Sequence, residues 1–151
     1  MLDVPARALS VLHAEDNADH AELVRRCLQN HPAVEQLVSV EDGEAALDYV
    51  FGRGRFASAP PPDVILLDLQ LPKADGLEVL GALKSHPDYS LIPVVILSTS
   101  TRETDVRAAY RLHANSYLAK PADFPSLNQL LRDFANYWGC RNSAPARGAR
   151  P

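Results

Sequence analysis

Residues 64–77 read VILLDLQLPKADGL, and the opening run decides the fold. Val64, Ile65, Leu66 and Leu67 are continuously apolar, so neither face of this segment alternates with water. A short strand of that kind is buried on both sides, as in a parallel sheet covered by helices. It ends at Asp68, a charge that is costly beside an apolar core unless something pairs with it. A loop through Pro72, Lys73 and Ala74 follows. Asp75 can then cap a helix that carries Leu77, Leu80 and Leu83 at helical spacing.

The same alternation extends in both directions from this unit. ALSVLHA (8–14) reads as a buried strand, and NADHAELVRRCLQNH (17–31) as a helix with Asn17 or Asp19 available as N-cap, stopped by Pro32. VEQLVSV (34–40) is a second strand, and DGEAALDYVF (42–51) a helix that Asp42 can cap. GRGRFASAPPP (52–62) is loop, rich in glycine and proline, before the strand DVILLD (63–68). A helix over 75–86, the strand IPVVILSTS (92–100) and a more polar helix over 102–114 come next. NSYLAKP (115–121) is a short strand, and 123–139 a closing helix with Pro125 in its first turn. Five β–α units with right-handed crossovers predict an α/β fold: a doubly wound, five-stranded parallel sheet of order 2-1-3-4-5. The domain spans 8–140, with 1–7 and 141–151 as flexible termini and no output domain behind it.

Composition narrows the function classes. The 151 residues are 46% hydrophobic and 23% charged, ordinary values for one globular domain. The net charge of −4 offers no basic field, so nucleic acid is not expected as a partner. No apolar run approaches the ~18 residues of a membrane span. Cys27 and Cys140 lie far apart without metal or redox spacing; Cys27 reads as a small core residue and Cys140 as a free, exposed thiol. With no secretory leader read at its start, the chain is expected to be cytoplasmic.

In a doubly wound sheet, ligands sit at the carboxyl ends of the strands. There the first strand delivers Glu15 and Asp16, the third Asp68, the fourth Ser98, Thr99 and Ser100, and the fifth Lys120. Three crowded carboxylates repel one another and raise at least one pKa, unless a hard cation such as Mg²⁺, which favours oxygen ligands, neutralises them. Lys120 and the Ser98 hydroxyl can then meet other oxygens of an incoming phosphoryl group, with Asp68 as the nucleophile. On this reading Asp68 pairs with a metal and with Lys120.

Four stretches together, HAEDN, LLDLQLP with its following DG, VVILSTS and YLAKP, make the chain similar to response-regulator receiver domains of two-component signalling over roughly residues 8–138. The resemblance implies a flavodoxin-like fold and a protein phosphorylated on Asp68 by a histidine kinase. It would catalyse only its own phosphorylation and dephosphorylation. Asp16 would be the direct metal ligand, Glu15 would act nearby or through water, and Gln70 would offer its backbone carbonyl. Mg²⁺ is the implied ion, with Mn²⁺ or Ca²⁺ able to substitute. Lys120 would bind phosphate, with a cis bond to Pro121, while Ser98 and Tyr117 would form the switch. GRGRFASAPPPDVILLDLQLP, SHPDYSLIPVVILSTS, LHANSYLAKPADF and the closing YW resemble regulators partnered with bacterial phytochrome kinases.

Simpler roles compete at several positions. Glu15 and Asp16 could merely begin a helix, His13 could be a satisfied, partly buried histidine, and the other histidines could lie at the surface or an interface. Lys73 reads as solvated and Asp63 as a turn residue. A phosphohydrolase would resemble DxDxT at its nucleophile, but here Gln70 stands where its general acid belongs. A third reading is a pseudo-receiver that never needs phosphate; the intact Asp68, Ser98 and Lys120 set argues against it. Leu127, Leu130, Leu131, Phe134, Tyr137 and Trp138 form a wide apolar surface on the closing helix. With Val106 and Tyr110 they predict a homodimer through helix 4, strand 5 and helix 5, the competing reading being that Phe134 and Trp138 fold over the domain's own core.

Overall fold

The computed structural model describes residues 8–145. Five parallel strands alternate with five α-helices: β1 (Leu9–Ala14), α1 (Ala18–Leu28), β2 (Val34–Val40), α2 (Gly43–Phe51), β3 (Val64–Leu67), α3 (Gly76–Lys84), β4 (Val94–Ser98), α4 (Glu103–Arg111), β5 (Ser116–Ala119) and α5 (Phe124–Asn136). The strand order is β2-β1-β3-β4-β5, as the alternation predicts. Residues 1–7 and the end of the expected tail, from 146 onward, lie outside the described residues. The tail begins later than expected, because a π-helical turn, Tyr137–Arg141, continues α5.

The central strands show why unbroken apolar runs were the decisive signal. Ile65 and Leu67 of β3 enter one core, with Leu12 of β1 and Val94 and Ile96 of β4, against α2 and α3. Val64 and Leu66 enter the other, with Val11, Val95 and Leu97, against α1 and α5. Each strand therefore alternates between two dry cores rather than between core and water. All four β3 side chains are at most 1% exposed, and removing one such side chain typically costs about 2–5 kcal/mol.

Local chemistry sets the helix starts. Asn17 caps α1, its Oδ1 accepting from the N–H groups of Asp19 and His20 at 3.0 Å each. Asp42, Asp75 and Asp123 do the same for α2, α3 and α5. The first helix ends at Leu28, short of the expected 31; His31 lies past it and accepts from the Ala33 N–H at 3.0 Å. Within the 52–62 loop, Gly54–Phe56 forms a 3-10 turn, and the Phe56 ring meets that of Tyr49 edge-on at 5.1 Å.

The closing helix corrects one expectation. Phe134 is 4% exposed and packs in its own domain's core with Leu127 and Leu131. Leu127, Leu131, Phe134 and Trp138 recur every three to four residues, which makes one stripe rather than a surplus face. Trp138 is half-buried, packs against the same cluster and meets the Tyr137 ring at 5.0 Å. Outside this stripe, Tyr110 and Tyr137 are exposed. Cys27 is buried as expected, whereas Cys140 is free but half-buried rather than exposed.

Candidate functional site

The sheet's hydrogen-bond ladder carries the reactive side chains to one edge. The Glu15 N–H donates to the Val40 carbonyl at 3.0 Å, and the Asp68 N–H to the Ala14 carbonyl at 3.2 Å. The Lys120 N–H donates to the Ser98 carbonyl at 2.7 Å. Each side chain thus leaves the sheet one residue past its strand's last paired position. Two glycines seat the loop behind Asp68. A Cβ on Gly76 would lie 2.2 Å from the Asp68 carbonyl oxygen, and one on Gly43 would lie 1.8 Å from that of Ala74. Any larger residue at either position would push the loop away. Lys73, exposed as expected, also reaches Asp42 at 3.5 Å, which ties the loop to the start of α2.

Glu15, Asp16 and Asp68 each place a carboxylate oxygen within 4.8 Å of the others. An all-oxygen, triply acidic donor set of this size fits a hard divalent cation. The crowding is visible in the acids themselves. Burial, then a hydrogen bond with Glu15 and its negative charge, pushes the Asp68 carboxyl up to about 7. Burial would also raise Glu15, but hydrogen bonds with Asp68 and Lys120 outweigh it and hold Glu15 at about 2.

The lysine's partner differs from the one expected. Lys120 Nζ donates to Glu15 Oε1 at 2.6 Å rather than pairing with Asp68, whose Oδ1 accepts from the Gln70 N–H at 3.2 Å. The side chains of Lys120 and Glu15 are 6% and 1% exposed. The ammonium therefore compensates the more deeply buried carboxylate, which has the most to lose unpaired. The Lys120–Pro121 bond is not cis, since the described residues contain no cis peptide. Trans is the lower-energy isomer of an X–Pro bond, and from it Lys120 still reaches Glu15.

The hydroxyl side of the site forms a continuous network. Ser98, 3% exposed, accepts at Oγ from the Ser100 N–H at 3.1 Å. Tyr117 OH donates to the Ser100 carbonyl at 2.8 Å, and Ser100 Oγ bonds to Asp105 on α4. Arg102, at the N-cap position, gives α4 no side-chain cap; its guanidinium reaches Asp105 at 3.2 Å. Ser98 and Tyr117 are thus both bonded to Ser100, a residue that sequence reasoning placed here only as a strand-end hydroxyl.

Histidines supply two further differences. His13 is not a satisfied, partly buried residue: it is 1% exposed, and its Nδ1 has no hydrogen-bond partner among the described residues. Burial holds it neutral, with its pKa lowered to about 4. His20, expected at the surface, brings Nδ1 to 3.3 Å from both Lys120 Nζ and Glu15 Oε1. The available signal was its place three residues after the cap Asn17, in the turn that faces the strand ends. Asp63, expected in a turn, accepts from the Ser10 N–H at 2.7 Å and ties the start of β3 to β1.

Comparison with known proteins agrees with this geometry. Residues 11–132 match the family described as the response regulator receiver domain. The response regulator Rcp1 of Synechocystis sp. is 39% identical over 128 residues, which cover 85% of this chain and 87% of that protein. A probable methanogenesis regulatory protein, FilR2, of Methanothrix harundinacea is 41% identical over 138 residues, covering 89% and 86%. The crystal structure of the phosphorylated cyanobacterial phytochrome response regulator RcpA superposes with a TM-score of 0.88 at 39% identity, covering 92% of this chain and 99% of that one. The Mn²⁺-bound form of Rcp1 gives 0.86 at 38% identity, covering 91% and 99%. Among the described residues no helix is long and apolar enough to cross a membrane. Doubly wound sheet, acidic triad, buried lysine and these matches agree: the chain belongs to the response-regulator receiver-domain family, close to the phytochrome response regulators.

Proposed function

We propose that this chain takes a phosphoryl group on Asp68 from a histidine kinase of phytochrome type and signals through protein–protein contacts. The observation that carries the reading is the acidic triad within 4.8 Å beside a buried ammonium. A charge-crowded pocket of this kind favours a ligand that brings both a cation and oxygen atoms. Glu15, Asp16 and Asp68, with the Gln70 backbone carbonyl, would hold Mg²⁺, and Mn²⁺ or Ca²⁺ could substitute. The ion supplies positive charge that neutralises the acids and the phosphoryl oxygens.

In the transfer, an Asp68 carboxylate oxygen forms a bond to phosphorus as the phosphorus–nitrogen bond to the donor imidazole breaks. The imidazole keeps the bonding pair and takes up a proton. Asp68 must be ionised to attack, so the same charges that neutralise its neighbours also ready the nucleophile. Lys120, still held by Glu15, gives a free ammonium hydrogen to a phosphoryl oxygen, and the Ser98 hydroxyl leaves the Ser100 amide to donate to another. Tyr117 and α4 are bonded to Ser100 and respond to that exchange. The chain acts on no other substrate, and nucleic acid and membrane are not among its partners.

The reading includes a homodimer through α4, β5 and α5. β5 is the edge strand of the sheet, and Val106 and Tyr110 line the adjoining face of α4. Phe134 supports this face from inside rather than touching the partner, and Trp138 contributes only its exposed part.

Treatment with acetyl phosphate and Mg²⁺, followed by intact-mass measurement, tests the reading. One phosphoryl group lost on Asp68→Asn supports it, and an unmodified wild type refutes it. Sedimentation with and without a phosphoryl analogue tests the dimer. A monomer in both states refutes it, and Tyr110→Ala is expected to weaken any dimer that forms.

A further inference from the structure

The roles above leave His20 unexplained. Its Nδ1 lies 3.3 Å from Lys120 Nζ, whose other partner is Glu15 Oε1 at 2.6 Å. An ammonium carries three hydrogens and accepts none, and an ionised carboxylate only accepts. With the ring hydrogen on Nε2, the ammonium gives one hydrogen to Glu15 and a second to the Nδ1 lone pair; with it on Nδ1, the ring, also 3.3 Å from Glu15 Oε1, would donate to that carboxylate instead. The His20 backbone is itself anchored, because its amide N–H donates to the Asn17 Oδ1 at 3.0 Å. Its side chain is 42% exposed, while that of Lys120 is 6% exposed, so the ring stands between the ammonium and solvent. Together with Thr99, Pro121 and Phe124 it borders a cleft of about 340 Å³ that opens onto Lys120.

We infer that His20 is a positioning residue for Lys120. Accepting one ammonium hydrogen from the side of α1, it fixes the rotation of Nζ, so that the hydrogen left over is presented to an oxygen of the group transferred to Asp68. Glu15 alone would leave the end of a flexible four-carbon stem free to turn about one bond. This rests on Asp68 being the phosphoacceptor.

The test compares full-length wild type with His20→Leu, which keeps bulk without an acceptor, and His20→Asn, whose Oδ1 falls near the place of Nδ1. Without metal or phosphodonor, hydrogen exchange of the Lys120 ammonium, followed by nitrogen-15 NMR, should be slow in wild type and His20→Asn and faster in His20→Leu. With Mg²⁺ and acetyl phosphate, His20→Leu should be phosphorylated about five- to tenfold more slowly, as for the loss of one ordinary hydrogen bond, and His20→Asn should recover most of the rate. The Mg²⁺ concentration for half-saturation should not move. Wild-type exchange and rate in His20→Leu would overturn the inference, as would an equal loss in both variants or a parallel loss of Mg²⁺ affinity. A wild type that never takes a phosphoryl group brings down both readings. A phosphorylatable wild type with an indifferent His20→Leu brings down this one alone.

Discussion

Glu15 and Asp68 are carboxylates at the ends of neighbouring strands, yet the pocket drives them in opposite directions. Glu15, nearly inaccessible to water, is held at about 2, while the more exposed Asp68 is pushed up to about 7. Burial by itself would order them the other way. Partner choice decides: the one buried ammonium lies on Glu15, so Asp68 is left with a backbone amide and a negative neighbour. The difference teaches a division of labour. One acid is a fixed anion that organises the site, and the other is a group whose charge waits on what enters it.

The sharpest way to break the comparison is to remove one acid at a time. Asp68→Asn should abolish phosphorylation entirely, as read by mass after acetyl phosphate and Mg²⁺, while the fold survives and metal-free stability holds or rises. A labelled variant would show that another residue accepts the group. Glu15 should behave in the opposite sense when its partner is lost. Lys120→Ala leaves a carboxylate with a 1% exposed side chain uncompensated and should cost about 3 kcal/mol in urea unfolding without metal. It should also uncouple phosphorylation from structural change. Full stability in that variant would mean that water replaces the ammonium.

A gentler probe is pH. For Asp68 the folded value near 7 lies above the ordinary carboxyl value of 3.8. Its contribution to metal-free stability is therefore fully present below about 4 and lost as pH rises toward 7. Glu15, lowered to about 2 from 4.5, contributes stability that is present above 4.5 and lost as pH falls toward 2. His13 complicates the wild-type curve. It is neutral in the fold down to about 4, against an ordinary imidazole value of 6.5, so its effect raises stability over much of the window in which that of Asp68 lowers it. The difference between wild type and Asp68→Asn isolates the carboxylate, and it should shrink in wild type's disfavour from pH 4 to 7. A flat difference across that range would mean that Asp68 is not raised.

Smaller effects come from the hydroxyl side. Tyr117→Phe removes one hydrogen bond to the Ser100 carbonyl and should cost about 1 kcal/mol, with phosphorylation itself unaffected. The family resemblance places Gln70 and Ser100, two positions after Asp68 and Ser98 respectively, beside the water that would attack the phosphoryl group, and neither is an acid or base. The phosphoryl group should therefore persist for minutes or longer without a phosphatase, and decay within seconds would contradict this.

Much of the architecture was legible because its signals are local. Strand burial on both faces is written as unbroken apolar runs, and the helix starts are written as Asn17, Asp42, Asp75 and Asp123, whose side chains bond within three residues of themselves. Strand order then follows from the handedness of the crossovers, so Asp68, Ser98 and Lys120 could be placed at one edge without coordinates. What the sequence could not state was which groups at that edge bond to one another. Lys120 and Glu15 are 105 positions apart, and their pairing depends on which carboxylate is the more deeply buried. The same holds for His20, whose contact with Lys120 spans 100 positions, and for Gly43, which matters only because the Ala74 carbonyl of another loop lies where a side chain would stand. Phe134 was misread for a related reason: an apolar residue looks the same in sequence whether it faces a partner or its own core. Sequence by itself determined which residues reach the site, through periodicity and capping that act over a few positions. Only the tertiary structure decided their pairing and charge, because desolvation and hydrogen-bond competition depend on distances that the packed chain alone defines.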